Sequence, residues 1–300
     1  MCAIITSYRY GRIKMKYVYL RFPGGKPKAF TISYDDGYIY DLRLADIIDR
    51  HGIKCTFNIV SDSITKDWGS EYLTLEQIKS LIARGHEVAV HGVTHTANGL
   101  QNIPLGLAEC YESRKVIEEK IGIISRGFAY PCSGINDFTV GTDYERIKGY
   151  LRDLGYSYAR SDEKNFDCFL IPNDWYDWQP TVHHDSRRVN EYADMFLDIK
   201  PDGEDGKGGL PRLFHIYGHS VEFERKNNWD HLEALCEKLG EKDDIWYATN
   251  IEIYDYVEDY LRLKFNLDHI RVYNPSARTV WIYADKKTFQ IDPGETVRLI

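Results

Sequence analysis

Ala29-Phe30-Thr31-Ile32-Ser33-Tyr34 runs directly into Asp35-Asp36-Gly37. The run is short, mostly apolar and closed by a turn residue. It reads as a buried strand opening into a loop, with two adjacent carboxylates at its end. Working outward, residues 42–50 carry helical periodicity through Leu42, Leu44, Ala45 and Ile48, and residues 54–60 are a second β-rich run. Thr74-Leu75-Glu76-Gln77 has capping-box spacing and starts a helix that runs to Arg84 and stops at Gly85. Residues 87–90 form a third short strand, which delivers His91. The alternation continues with a helix over 105–121, a strand at 127–130, a helix at 144–154 and strands at 157–160 and 213–217. Helices over 229–239 and 251–263 follow. Such alternation predicts an α/β fold, a parallel sheet or barrel whose site lies at the C-terminal strand ends. Asp35, Asp36, His91, His95 and His219 each follow an apolar run, so the chemistry-bearing residues fall at that end.

Beyond residue 265 the pattern changes. Short β-rich segments at 270–273, 280–283, 288–291 and 297–300 are separated by turns at Asn274-Pro275, Asp285-Lys286 and Pro293-Gly294. The expected organisation is a catalytic barrel over residues 1–265 and a small antiparallel β appendage over 266–300, the latter a structural cap. Residues 201–209 read as a flexible loop and not as a domain linker.

The formal charge of −8 argues against a nucleic-acid-binding surface. Six cysteines (Cys2, Cys55, Cys110, Cys132, Cys168, Cys236) show no C-x-x-C and no metal-knuckle spacing, so they read as small buried residues without a disulfide framework. No apolar run approaches the roughly 18 residues of a membrane span. The first fifteen residues lack a signal-peptide h-region, and the chain as written reads as cytoplasmic. A different start, such as Met15, would open an extracytoplasmic location. Aromatic residues make up 14%, with 23 Tyr and 6 Trp; they serve either core packing or a groove that stacks flat sugar faces.

Two histidines four residues apart, His91-Gly92-Val93-Thr94-His95, can reach one cation, and an aspartate can complete three protein ligands. Water bound to such a cation loses its proton near neutral pH, and the second aspartate is then a spare base. With 10 His in 300 residues, an H-x-x-x-H pair occurs readily by chance. It carries weight only jointly with Asp35-Asp36 on consecutive strand ends.

These residues carry a family resemblance. Ser33-Tyr34-Asp35-Asp36-Gly37 resembles the T-F-D-D-G motif of the NodB-type polysaccharide deacetylases (carbohydrate esterase family 4), and His91-Gly92-Val93-Thr94-His95 resembles their H-[ST]-x-x-H, with Gly92 in the Ser/Thr place. The ordered motifs extend from about Ala29 to Tyr260. The resemblance implies a distorted (β/α) barrel in which Asp35 is the general base and Asp36, His91 and His95 bind Zn²⁺, or another divalent transition metal such as Co²⁺ or Ni²⁺. The third motif, R-x-P-[YF], is matched by Ala129-Tyr130-Pro131-Cys132. The arginine that steadies the base is replaced by Ala129, and Cys132 stands at the tyrosine whose backbone N–H helps bind the oxyanion. Arg126 or Arg160 is expected to substitute for the missing arginine. Cys132 as a nucleophile is a minor alternative, with no activating histidine visible in the sequence.

Asp174-Trp175-Tyr176-Asp177-Trp178 resembles the fourth motif, D-x-x-D-W, which lines the groove and tunes the catalytic histidine; the other reading is an aromatic surface turn. Leu213-Phe214-His215 and the following residues to Ser220 resemble the fifth, which makes His219 the acid that protonates the leaving group and His215 structural. His183-His184 reads as a surface pair on a loop; the alternative is that one of them touches substrate. The function implied is metal-dependent removal of acetyl groups, N-acetyl first, from an oligo- or polysaccharide. Alternatives are a catalytically weak or inactive carbohydrate-binding member of the same fold, and a deacylase of an O-acetyl or non-sugar amide substrate.

Overall fold

The computed structural model describes residues 17–66, 68–162, 169–200 and 209–299. The strands are β1 (Val18–Arg21), β2 (Lys28–Asp36), β3 (Cys55–Ile59), β4 (Glu87–Val90), β5 (Gly127–Ala129), β6 (Tyr158–Arg160), β7 (Val182–His183), β8 (Arg212–Gly218), β9 (Ile245–Tyr247), β10 (Lys264–Phe265), β11 (Arg271–Tyr273), β12 (Val280–Ala284), β13 (Lys287–Ile291) and β14 (Thr296–Arg298). The helices are α1 (Asp41–Asp49), α2 (Asp62–Thr65), α3 (Leu75–Ala83), α4 (Ile103–Ile121), α5 (Tyr144–Asp153), α6 (Val189–Asp198), α7 (Ser220–Lys226), α8 (Trp229–Leu239) and α9 (Asn250–Leu261). The capping box at Thr74 is present, with reciprocal bonds to Gln77, and α4 stops at Gly122 in the left-handed conformation.

The parallel sheet has the order β6-β5-β4-β3-β2-β8-β7, with β9 paired to the start of β2. It curls into the distorted (β/α) barrel. The stretch from Trp178 to His183 bridges its two margins, because Trp178 pairs with Arg160 of β6 while Val182 and His183 pair with β8. Strand alternation sorts β2 into two faces. Phe30, Ile32 and Tyr34 join the large core beneath the helices. Thr31, Ser33 and Asp35 face the interior, where they meet Asn250, His215 and Asn58. The barrel interior is therefore polar and buried around β2. The C-terminal ends of β2, β4, β5, β6, β7 and β8 share one rim, which is where the sequence placed the chemistry.

Two antiparallel sheets complete the chain, β1-β12-β13 and β10-β11-β14, around a small core that includes Val272, Val280, Ile282, Ile291 and Leu299. β1 stitches the start of the described chain to the tail, Val18 pairing with Ala284. Ile300 of the expected last strand and residues 201–208 of the expected loop lie outside the described residues, as do Cys2, Met15 and Cys168. Among the described residues, no helix is long and apolar enough to cross a membrane.

At the opposite, N-terminal end of the strands, half-buried Glu87 accepts bonds from the Thr56 and Tyr158 hydroxyls (both 2.8 Å) and from the Ile251 N–H (2.9 Å). Burial outweighs these donors and pushes its carboxyl up to about 7. A carboxyl raised on folding adds stability below its ordinary value, and that stability is lost as pH rises through the folded value. Wild-type protein should lose urea resistance between about pH 5 and about pH 8 from this group, and Glu87→Gln should flatten that fall.

Candidate active site

β2 carries Asp35 inward and then breaks. Asp36 takes a left-handed conformation (φ 79°), as do His95 (φ 60°) and Cys132 (φ 53°). Each such non-glycine residue costs about 1–3 kcal/mol, and three of them lie at this rim. Gly92 is also left-handed (φ 78°), and a Cβ there would come within 3.3 Å of Pro131. That close approach accounts for glycine in the second motif. Glu109 of α4 secures the loop by accepting from the backbone N–H groups of Val93 (2.8 Å) and Thr94 (3.0 Å).

The structure brings Asp36, His91 and His95 together, with ligand atoms within 4.8 Å of one another. His91 Nε2 lies 3.5 Å and His95 Nε2 3.2 Å from Asp36 Oδ1, an oxygen that is buried and has no hydrogen-bond partner. His91 Nδ1 lies 2.9 Å from the Ala129 carbonyl oxygen, which only accepts, so Nδ1 carries the hydrogen. Burial pushes His91 down to about 4, so the ring is neutral and Nε2 is a bare lone pair. A buried carboxylate oxygen facing an imidazole lone pair is unfavourable unless a cation lies between them. Burial acts to raise the Asp36 carboxyl, but His95, His91 and His219 outweigh it and hold the group below its ordinary value. The donor set, two imidazole nitrogens and one carboxylate, suits Zn²⁺ and its neighbours.

Asp35, buried, accepts from Asn58 Nδ2 (2.8 Å) at one oxygen and pairs with the Arg160 guanidinium at the other. Burial alone would raise its carboxyl. Arg160, His91, His219 and Asn58 together hold it well below the usual carboxylate range. Arg160 comes from the end of β6, next to the β5 end where Ala129 stands. The guanidinium absent from the third motif is thus supplied by the neighbouring strand. Arg126, the other sequence candidate, is instead paired with Asp255 at 2.7 Å.

His219 follows β8 and sits with Nε2 3.9 Å from Asp36 Oδ2 and Nδ1 3.4 Å from Glu222 Oε1. Burial lowers it, but Glu222, Asp35 and Asp36 prevail and lift it to about 9. His215 is buried, with Nε2 2.9 Å from Ser33 Oγ, and packs edge-on against Trp178. Cys132 is exposed beside the His91–His95 loop, and its thiol donates to the His95 carbonyl oxygen (3.4 Å). Burial, Asp36 and Asp162 push the thiol up, which works against a thiolate nucleophile even with His95 Nδ1 3.5 Å from the sulfur.

Three expectations need correction. Trp178 is 1% exposed and packs against Tyr158, Trp175 and His215; it supports the barrel wall and does not line a groove. Asp177 accepts from Ser161 and Gln179, and the carboxylate at His219 is Glu222. The Tyr130 side chain is likewise buried and donates to the Tyr176 carbonyl, so only its backbone remains near the rim. His183 and His184 are no surface pair, since His184 is fully buried and both approach Glu222.

With this geometry in view, residues 16–158 match the sequence profile of the family described as Polysaccharide deacetylase. Over these residues the chain is similar to the polysaccharide deacetylases. No curated protein matches it. Among solved structures, a putative polysaccharide deacetylase from Mycobacterium smegmatis superposes with a TM-score of 0.55 at 15% identity, over 81% of this chain and 94% of that one. PuuE allantoinase gives 0.54 at 13% identity, over 78% and 91%. A Streptococcus pyogenes deacetylase gives 0.38 at 18% identity, over 44% of this chain and 55% of its own. The first two matches are likenesses of fold, and the NodB-type deacetylase barrel is the fold shared.

The residues that sequence reasoning missed are Asn58, Glu109 and Glu222. Glu222 stood three residues after His219 at the start of a helix, a spacing that could have revealed it.

Proposed function

We propose that this chain is a metal-dependent carbohydrate deacetylase acting first on N-acetyl groups. The observation that carries the reading is the buried Asp36 oxygen facing the His91 lone pair with no hydrogen between them. Asp36, His91 and His95 would hold the ion. When bound, a divalent cation of this kind acidifies water and polarises an acetyl carbonyl.

The chain's own groups supply the rest. Asp35 takes one proton from the attacking water, whose oxygen bonds to the acetyl carbon. Arg160 and Asn58 fix Asp35 in place, and the backbone at Cys132 offers an N–H for the developing oxyanion. His219 gives a proton to the sugar nitrogen as the C–N bond breaks, leaving free amine and acetate, and exchange with solvent resets both groups.

A sugar substrate is supported by aromatic surface beside the acidic pair. Tyr38, next after Gly37, stacks on Tyr72 with ring centres 4.9 Å apart, and Trp68 meets Tyr72 edge-on at 5.0 Å. Tyr72→Ala should raise KM for an acetylated oligosaccharide by a few-fold to about tenfold and leave kcat unchanged. An equal change on a monosaccharide-sized acetamide would count against a sugar platform. The substitution of Arg160 for the missing motif arginine weakens the case for an inactive binding protein. The allantoinase barrel keeps a non-sugar amide in view. Acetate release from a small panel of N-acetylated, O-acetylated and non-sugar substrates, with and without chelator, tests the reading. Acetate released from N-acetyl glycans only without chelator is the expected result.

A further inference from the structure

Beside the deacetylase residues lies a second cluster: His183, His184, Asp185 and Glu222, with ligand-type atoms within 4.8 Å of one another. Its hydrogen positions differ from those of the first. His183 Nδ1 accepts from the Asp185 backbone N–H (3.2 Å), so a neutral His183 carries its hydrogen on Nε2, which lies 3.3 Å from Glu222 Oε2. His184 is fully buried, and its Nδ1 sits against Gly218, where a Cβ would come within 2.0 Å. A hydrogen at that nitrogen would have no acceptor, which favours Nε2, 3.1 Å from Glu222 Oε2, although neither of these two atoms makes a hydrogen bond as placed. Lys226 places its ammonium on Asp185. Where His91 turns a lone pair to Asp36, this cluster places two imidazoles close to Glu222 and an ammonium on Asp185. The positive charge is already supplied by protein.

His184 is itself held between the rings of Tyr34 (5.5 Å between centres) and Phe223 (4.2 Å). Glu222 keeps Oε2 3.3 Å from His183 Nε2 and 3.1 Å from His184 Nε2, and Oε1 3.4 Å from His219 Nδ1. His219 Nε2 then faces Asp36. We propose that Glu222, flanked by His183 and His184, is the positioning residue that orients the His219 ring for proton delivery to the leaving group. The proposal rests on the deacetylase reading for what is protonated.

The test exploits leaving-group chemistry. An acetamide nitrogen must be protonated to depart, whereas the phenolate of 4-nitrophenyl acetate leaves without a proton. Glu222→Gln should lower kcat/KM on an N-acetylated sugar by about 10- to 100-fold and on the aryl acetate by less than about threefold, with Glu222→Asp recovering part of the loss. Metal content should stay at one equivalent per chain. In histidine ¹⁵N spectra, Glu222→Gln should shift the His219 Nδ1 resonance. An equal fall on both substrates, an unmoved His219 resonance, or loss of a second metal equivalent would each overturn the proposal. Wild-type protein inert on both substrates would defeat the deacetylase reading instead, and the ¹⁵N measurement would still decide whether Glu222 holds His219.

Discussion

Replacing Arg160 by methionine is expected to cost about 3–5 kcal/mol of stability at neutral pH, because it leaves the buried Asp35 carboxylate without its counter-charge. Both side chains are almost fully buried, at 2% and 5% exposure, so solvent cannot take over the pairing. Direction in pH follows from Asp35 being held low. A carboxyl depressed on folding contributes stability that is present above its ordinary value and lost as pH falls through the folded one. The deficit of Arg160→Met should therefore be full at neutral pH and shrink as acid protonates Asp35, whose ionisation the variant no longer favours. Urea unfolding at neutral pH and at about pH 4 reads this directly. The double variant Asp35→Asn/Arg160→Met should recover much of the loss, since an uncharged pair leaves nothing uncompensated. A deficit equal at both pH values and additive in the double variant would contradict the pairing.

The second large effect concerns metal and turnover separately. Asp36→Ala should remove the metal and with it at least about a thousandfold of activity, equivalent to several kcal/mol of transition-state stabilisation. Asp35→Asn should keep the metal and still lose about 10²- to 10⁴-fold, as expected when a positioned base is removed. The two adjacent aspartates thus separate by metal analysis although both variants are slow. Full metal loading in Asp36→Ala would reject it as a ligand, and unchanged acetate release in Asp35→Asn would reject it as the base.

Much of the barrel was legible because its signals are local. β4 spans Glu87–Val90, as the apolar run indicated, and α8 spans Trp229–Leu239. The capping box at Thr74 marks its helix by chemistry within four residues. Elements whose existence depends on distant partners were not legible. β1 forms against β12, more than 250 residues away in sequence, and β9 contributes three residues to a notch left free by β3 along β2. Helix α7 follows β8 almost without a turn and is too short and charged to show a period.

The site divides in the same way. Asp36, His91 and His95 are readable because spacing and strand ends place them. The Asp35 partner was not fixed by sequence, because an arginine at position 160 reaches Asp35 only through the neighbour relation of β5 and β6. Glu222 escaped notice because Asp177 occupied the expected motif position, while in three dimensions Asp177 is engaged by Ser161 and Gln179.

The central claim is that one divalent ion is held by Asp36, His91 and His95. Anomalous diffraction at the zinc edge from crystals of the intact chain grown with zinc tests it most directly. A single peak about 2.0–2.2 Å from His91 Nε2, His95 Nε2 and an Asp36 oxygen is the result predicted. A peak among His183, His184 and Glu222, or none at Asp36, would contradict it.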